Sequence, residues 1–166
     1  MDPLDQYDFL DTDFMDEHSD KFSKIIGEYI IDFSYLEHSL DKLISEMMDD
    51  RSDAVGFIIM SEMGMSNKID LLEKFIKLEK YHGLKRPKHI APLIRELRAV
   101  NTFRNRLAHA NWSSMRQDGM TRIKTRIDKN NGIYFENFKL DTATIINARI
   151  VLGNLVSKIE DLELEI

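Results

Sequence analysis

The sequence predicts a mainly α fold, an up-and-down bundle of four to five helices with one β-hairpin inserted before the last helix. Apolar residues recur at three- and four-residue spacing over most of the chain, which is the period of an amphipathic helix. Near residues 120–140 the spacing changes to alternation around an Asn-Gly pair, which is typical of a hairpin. Helical spacing then resumes and predicts the closing helix.

Composition indicates one globular domain of 166 residues, with 43% hydrophobic and 31% charged residues. No apolar run is long enough to span a membrane, the first residues are acidic rather than basic, and cysteine is absent. We therefore expect a cytoplasmic protein without disulfides or a membrane partner. No glycine-rich phosphate loop or metal-ligand cluster stands out, so neither a cofactor nor a metal is expected.

The first 20 residues differ in composition from the rest of the chain. They carry eight acidic residues and no Lys or Arg, and aromatic residues stand among the acids. We expect an acidic N-terminal arm over residues 1–20, followed by a single helical domain over 21–166. The arm either packs into a groove or a dimer contact, or lies against a basic face and competes there with a polyanion.

Four helices are expected before the hairpin. The first spans about 21–48 and carries one continuous apolar stripe. A short apolar helix over 53–62 follows, and Ser66 can cap a third helix to about residue 81. The fourth helix runs from about Ile90 to His109, where the periodicity breaks.

Two strands and a last helix complete the prediction. Residues 121–128 and 133–140 alternate in polarity on either side of a turn that contains Asn131-Gly132. Asp141 is then placed to cap a closing helix over 142–164, whose apolar positions complete the bundle.

Basic residues are concentrated in one part of the chain. Residues 85–126 carry eleven Lys or Arg against two acids, in a protein of net charge −6. Arg98 and the strand residues Arg122, Lys124 and Arg126 are therefore candidate RNA or phosphate contacts. The strand row has a second reading, in which its cations protect a sheet edge against aggregation. The whole basic block can equally face water or the acidic block.

Three polar residues stand at the end of the fourth helix. Arg104 projects from the apolar face of that helix, so its guanidinium must contact a carboxylate, a phosphate or a water-filled cleft. Asn105 and His109 lie one turn apart on the bordering polar stripe, and the helix end favours a protonated imidazole at His109. Glu37, at the edge of the first helix's stripe, is a supporting residue and the candidate carboxylate for Arg104, or else an ordinary solvated side chain.

These residue types suit metal-independent RNA cleavage. The ribose 2′-hydroxyl attacks the adjacent phosphate, so one group must move protons and a cation must stabilise charge on the phosphate oxygens. His109 fits the first role, the planar guanidinium of Arg104 fits the second, and Asn105 can orient the imidazole or contact the phosphate.

The segment from Arg104 to His109 resembles the Arg-x4-His motif of HEPN domains, in which a polar residue such as Asn105 commonly follows the Arg. Residues 33–37 of the first long helix are similar to the corresponding helix of bacterial HEPN proteins. The resemblance implies a homodimeric endoribonuclease that leaves 2′,3′-cyclic phosphate ends. It also implies a prokaryotic toxin or anti-phage (phage defence) protein, with RNA as substrate and a cognate antitoxin as a further partner. Asn111 stands where nucleotidyltransferase-silenced HEPN toxins carry Tyr, so the resemblance does not extend to that control.

A non-catalytic interpretation stays open beside this one. Many HEPN domains serve as nucleotide-binding, scaffold or dimerisation modules. Under that interpretation Arg104 bridges helices through Glu37 and His109 only closes a helix end.

Overall fold

The computed structural model describes residues 13–48, 53–81, 90–116, 119–128 and 132–163. These residues form five α-helices and three β-strands, which confirms the predicted mainly α fold with a hairpin before the last helix. In chain order they are α1 (Asp13–Glu46), α2 (Asp53–Ser61), α3 (Met65–Tyr81), α4 (Ile90–Ala108), β1 (Asn111–Arg116), β2 (Gly119–Asp128), β3 (Gly132–Leu140) and α5 (Thr142–Glu163).

The first helix begins earlier than the sequence predicted. It starts at Asp13 instead of residue 21, so residues 13–20 of the expected acidic arm are helical, while residues 1–12 lie outside the described residues. The acids of this segment explain the extension, because carboxylates in the first turns of a helix are stabilised by its N-terminal dipole. The other helix bounds agree with the prediction to within one or two residues.

The sheet has one strand more than the predicted hairpin. β1 pairs antiparallel with β2, and the strand order is β1-β2-β3. The register shifts between Trp112 and Ser114, which marks a β-bulge. β1 was not predicted because Asn-Trp-Ser-Ser-Met-Arg contains no β-branched residue and does not alternate regularly between polar and apolar residues. Its two serines further weaken any strand signal.

The chain divides into two compact units. The sheet unit comprises the described residues up to Ile30 together with Asn105–Arg149, and the helix unit comprises Ile31–Arg104 together with the described residues from Ile150 onward. Helices α1, α4 and α5 contribute residues to both.

In the helix unit, most positions of the apolar stripes predicted from the sequence are buried, but Leu78 on α3 and Val151 on α5, which were expected to face inward, are exposed. Fully buried members come from several helices and include Leu36, Leu40, Leu43, Ile44, Met60, Ile69, Leu72, Leu97 and Leu155. Gly56 marks a close approach of α2 to α1, since a Cβ at that position would lie 2.6 Å from Cβ of Ser45. The helices of this unit are therefore held by apolar packing with little space at the Gly56 contact.

In the sheet unit, the predicted cap of α5 is confirmed. The backbone N–H of Thr144 donates to Oδ1 of Asp141 at 2.6 Å. This bond to the backbone lowers the pKa of the Asp141 carboxyl. Arg149 on α5 also forms an ion pair with Glu28 on α1.

Two glycines take backbone conformations that favour glycine at the ends of strands. Gly132 opens β3 with φ 69°, opposite Asp128 in the register. Gly119 opens β2 with φ 154°, and a Cβ there would lie 2.6 Å from the carbonyl oxygen of Leu140. A side chain at residue 119 would therefore force the sheet backbone to shift.

Candidate functional site

The end of α4 carries the two polar residues that the sequence placed one turn apart. The backbone N–H of His109 donates to the carbonyl of Asn105 at 3.1 Å, which closes the last turn of the helix. Both residues are exposed and both belong to the sheet unit. An imidazole and an amide are thus available to solvent at one helix end, in positions that a proton-transfer site can use.

Arg104 is half-buried in the helix unit, on the apolar face of α4. Its guanidinium carbon lies 5.6 Å from the ring centroid of Phe33 on α1. This is cation–π geometry, in which the ring face attracts the charge and holds the planar group in one place. The sequence predicted that Arg104 projects from an apolar face, but nothing in the sequence identified Phe33 as its neighbour.

Glu37 contacts Lys68, which is not among the predicted site residues. Nζ of Lys68 on α3 donates to Oε1 of Glu37 at 3.0 Å and to Oδ2 of Asp41 at 2.9 Å. The carboxylate of Glu37 therefore has an ammonium as a partner. The predicted pairing of Glu37 with Arg104 stays a prediction. Burial raises the pKa of the Asp41 carboxyl, while the hydrogen bond and charge of Lys68 act in the opposite direction.

A sequence signal for Lys68 did exist. Met65, Lys68 and Leu72 follow one another at three- and four-residue spacing, so the lysine occupies a position of the buried stripe of α3. Glu37 and Asp41 lie one turn apart on α1 and can meet such a lysine together.

Arg98, a predicted phosphate contact, is paired with acidic residues of α3. One guanidinium nitrogen lies 2.8 Å from Oδ1 of Asp70 and 2.8 Å from Oε2 of Glu73. A hydrogen bond from Lys77, which has the larger effect, and one from Arg98 lower the pKa of Glu73. A phosphate at Arg98 would have to compete with two carboxylates, so its role as an RNA contact stays a prediction.

The basic row of β2 lies partly inside the sheet. Arg122 pairs with Trp112 of β1 on one side and with Phe138 of β3 on the other, so it is not on a sheet edge. The pairing with β1 ends at Ile123, and Lys124 and Arg126 are paired with β3 alone. Edge protection therefore does not explain Arg122, although it still applies to the outer part of the row.

Comparison with known protein families, with curated proteins and with solved structures finds no match to this chain. Within the described ranges, no group of three or more His, Cys, Asp or Glu is placed to hold a metal ion. Among the helices of those ranges, none combines the length with the apolar character needed to cross a membrane.

Proposed function

We propose that the protein is a metal-independent endoribonuclease of the HEPN type. The observation that carries the proposal is the exposed pair Asn105 and His109, one turn apart at the end of the helix that also bears Arg104. The contact of Arg104 with Phe33 supports it, because a guanidinium held on an aromatic face is ordered before a phosphate arrives.

In the proposed reaction the ribose 2′-hydroxyl attacks the adjacent phosphorus. His109 accepts the hydroxyl proton or donates a proton to the leaving 5′-oxygen, and the P–O bond to that oxygen breaks. Arg104 stabilises the charge on the phosphate oxygens, and Asn105 orients the imidazole or contacts the phosphate. The products are a 2′,3′-cyclic phosphate and a 5′-hydroxyl.

The proposal includes a homodimer, because one imidazole does not readily serve both proton transfers at once. The apolar side chains of α2 support association with a second copy. Val55, Phe57, Ile58 and Ile59 are exposed, and the stretch Ala54–Ser61 carries no charge that would meet a like charge across a twofold axis. The proposed setting is the cytoplasm of a prokaryote, as a toxin or phage-defence protein with a cognate antitoxin.

The test is incubation of labelled RNA with the protein in EDTA. Wild-type protein is expected to leave cyclic-phosphate ends, and His109→Ala and Arg104→Ala are expected to lose this activity. Arg106→Ala is the matched control, because Arg106 is exposed on the same helix outside the motif pair and its loss should leave cleavage intact. A folded wild-type protein that does not cleave, or cleavage that survives in His109→Ala, would contradict the proposal.

The contact between Arg104 and Phe33 also favours a second function, a non-catalytic nucleotide-binding or scaffold module in which the arginine stabilises packing. In that case Arg104→Ala lowers the melting temperature while no form of the protein cleaves RNA. The cleavage assay, run beside thermal unfolding of the same variants, separates the two functions.

A further inference from the structure

The three-stranded sheet sets aromatic residues beside the cations of its central strand. The register pairs Arg122 with Trp112 on β1 and with Phe138 on β3. Four residues further along β2, Arg126 is paired with Tyr134. Alternating strand positions share a face of a sheet, so Arg122 and Arg126 project from the same side of β2.

The aromatic and basic side chains of this face reach solvent. Phe138 is 44% exposed, Arg126 is exposed, and Trp112 and Arg122 are half-buried. Exposed aromatic rings that alternate with cations provide stacking surfaces next to positive charge.

The charge of the sheet is opposite to that of the chain. Its three strands hold five Lys or Arg and two Asp or Glu, whereas the whole chain has a net charge of −6. The five cations are Arg116, Arg122, Lys124, Arg126 and Lys139. A sheet with this balance is complementary to a polyanion.

We propose that this face of the sheet binds single-stranded nucleic acid. Bases stack on Phe138 and Trp112, and phosphates contact Arg122 and Arg126, whose Cα atoms are about 13 Å apart at ~3.3 Å per residue. A duplex is excluded as the preferred ligand, because its bases are stacked on one another and cannot lie on protein rings. Stacking and phosphate contacts accept every base, so binding is largely independent of sequence.

This inference goes beyond the proposed ribonuclease, because it requires neither His109 nor cleavage. A strand of RNA held on the sheet would be a substrate for the proposed ribonuclease, but a protein without catalytic activity would bind it equally well. The two proposals can therefore fail separately.

The test uses fluorescence anisotropy with end-labelled oligodeoxythymidylate and wild-type protein. DNA lacks the 2′-hydroxyl and cannot be cleaved by the proposed reaction, so the measurement reports binding alone. Single strands are expected to bind at least tenfold more tightly than a duplex of the same length. Affinity is also expected to fall as the salt concentration is raised, because binding of the protein releases counterions from the nucleic acid.

Phe138→Ala is expected to weaken binding about tenfold, which is within the range for loss of one base–aromatic stack. Phe138→Tyr keeps a ring and should retain binding. Ile133→Ala is the matched control, since Ile133 is also exposed on β3 but lies at a position of opposite parity to residue 138. Arg126→Gln should weaken binding and lower the salt dependence by about one phosphate contact, whereas Lys139→Gln, of opposite parity on β3, should do so less.

Three results would overturn the proposal. They are no binding of single strands at low salt, equal affinity for single strand and duplex, and equal loss in Phe138→Ala and Ile133→Ala. Circular dichroism of each variant establishes whether it is folded. If Phe138→Ala does not fold, the Phe138→Tyr protein keeps the test decisive.

Discussion

Nζ of Lys68 lies 2.8 Å from Oδ1 of Asp41, and the lysine side chain is only 5% exposed. The same ammonium reaches Glu37, so two carboxylates of α1 share one cation from α3. A buried charge of this kind is tolerated because its partners are in place, and removal of one partner leaves the others desolvated.

We therefore expect Lys68→Met to lower the free energy of unfolding by about 3 kcal/mol, since it leaves two carboxylates without their cation. Urea denaturation at neutral pH measures the loss. Lys77→Met is the matched control: Lys77 pairs with Glu73 at 3.0 Å on the surface, and such exposed pairs contribute about 0–1 kcal/mol. Equal effects of the two substitutions would show that the Lys68 cluster is not a strong constraint.

The cap at Asp141 makes stability depend on pH. The folded pKa of this carboxyl is lowered by its bond to the N–H of Thr144, so the stabilisation is present above the ordinary carboxyl pKa and is lost as pH falls through the folded pKa. Asp141→Ala should lower the melting temperature at about pH 6 and differ less from wild type at about pH 3. Glu160→Ala is the control, because it removes an acid near the other end of α5 without removing a cap. A difference for Asp141→Ala that grows on acidification would contradict this account.

Gly56 and Gly153 offer a matched pair of helical glycines. Gly56→Ala places a Cβ 2.6 Å from Cβ of Ser45 and should destabilise the protein by about 1–3 kcal/mol through overpacking. Gly153→Ala meets nothing within 4 Å and should stabilise by about 1 kcal/mol through helix propensity. Thermal unfolding measures both signs. Partial rescue of Gly56→Ala by Ser45→Gly would identify the contact, and a neutral Gly56→Ala would argue against close packing of α2 on α1.

Ile58 is 67% exposed on α2, within the apolar surface that supports the proposed homodimer. Ile58→Lys places a charge on that surface and on its copy across the twofold axis, so we expect the dimer to dissociate at protein concentrations where wild type is dimeric. Light scattering coupled to size-exclusion chromatography gives the mass. Leu78→Lys, on an exposed position of α3, is the control and should leave the mass unchanged. A mass for Ile58→Lys equal to that of wild type would remove α2 from the interface.

Local patterns predicted most of the fold. Spacing of apolar residues identified five helices, the alternation around Asn131-Gly132 identified the hairpin, and Asp141 was recognised as a cap. Patterns failed where the signal was compositional or weak. The acids of residues 13–20 were assigned to an arm but begin α1, and the polar segment of β1 gave no alternation from which to infer a strand.

For the candidate site, only the relationships between residues close together in the sequence could be predicted. The one-turn spacing of Asn105 and His109 follows from helical geometry, and the structure has it. The contacts of Arg104 with Phe33 and of Glu37 with Lys68 join residues far apart in sequence, and many pairings are compatible with the same apolar pattern. Such contacts depend on how helices pack, which a single sequence does not specify.

Trp112 is the single tryptophan of the chain, and it lies half-buried in β1 beside Arg122. Intrinsic tryptophan emission therefore originates in the sheet unit alone, whereas far-ultraviolet circular dichroism is dominated by the helices of both units. If the emission and dichroism curves separate during denaturation, the two units unfold at different points. If they coincide, the continuous helices α1, α4 and α5 couple the units into one cooperative transition.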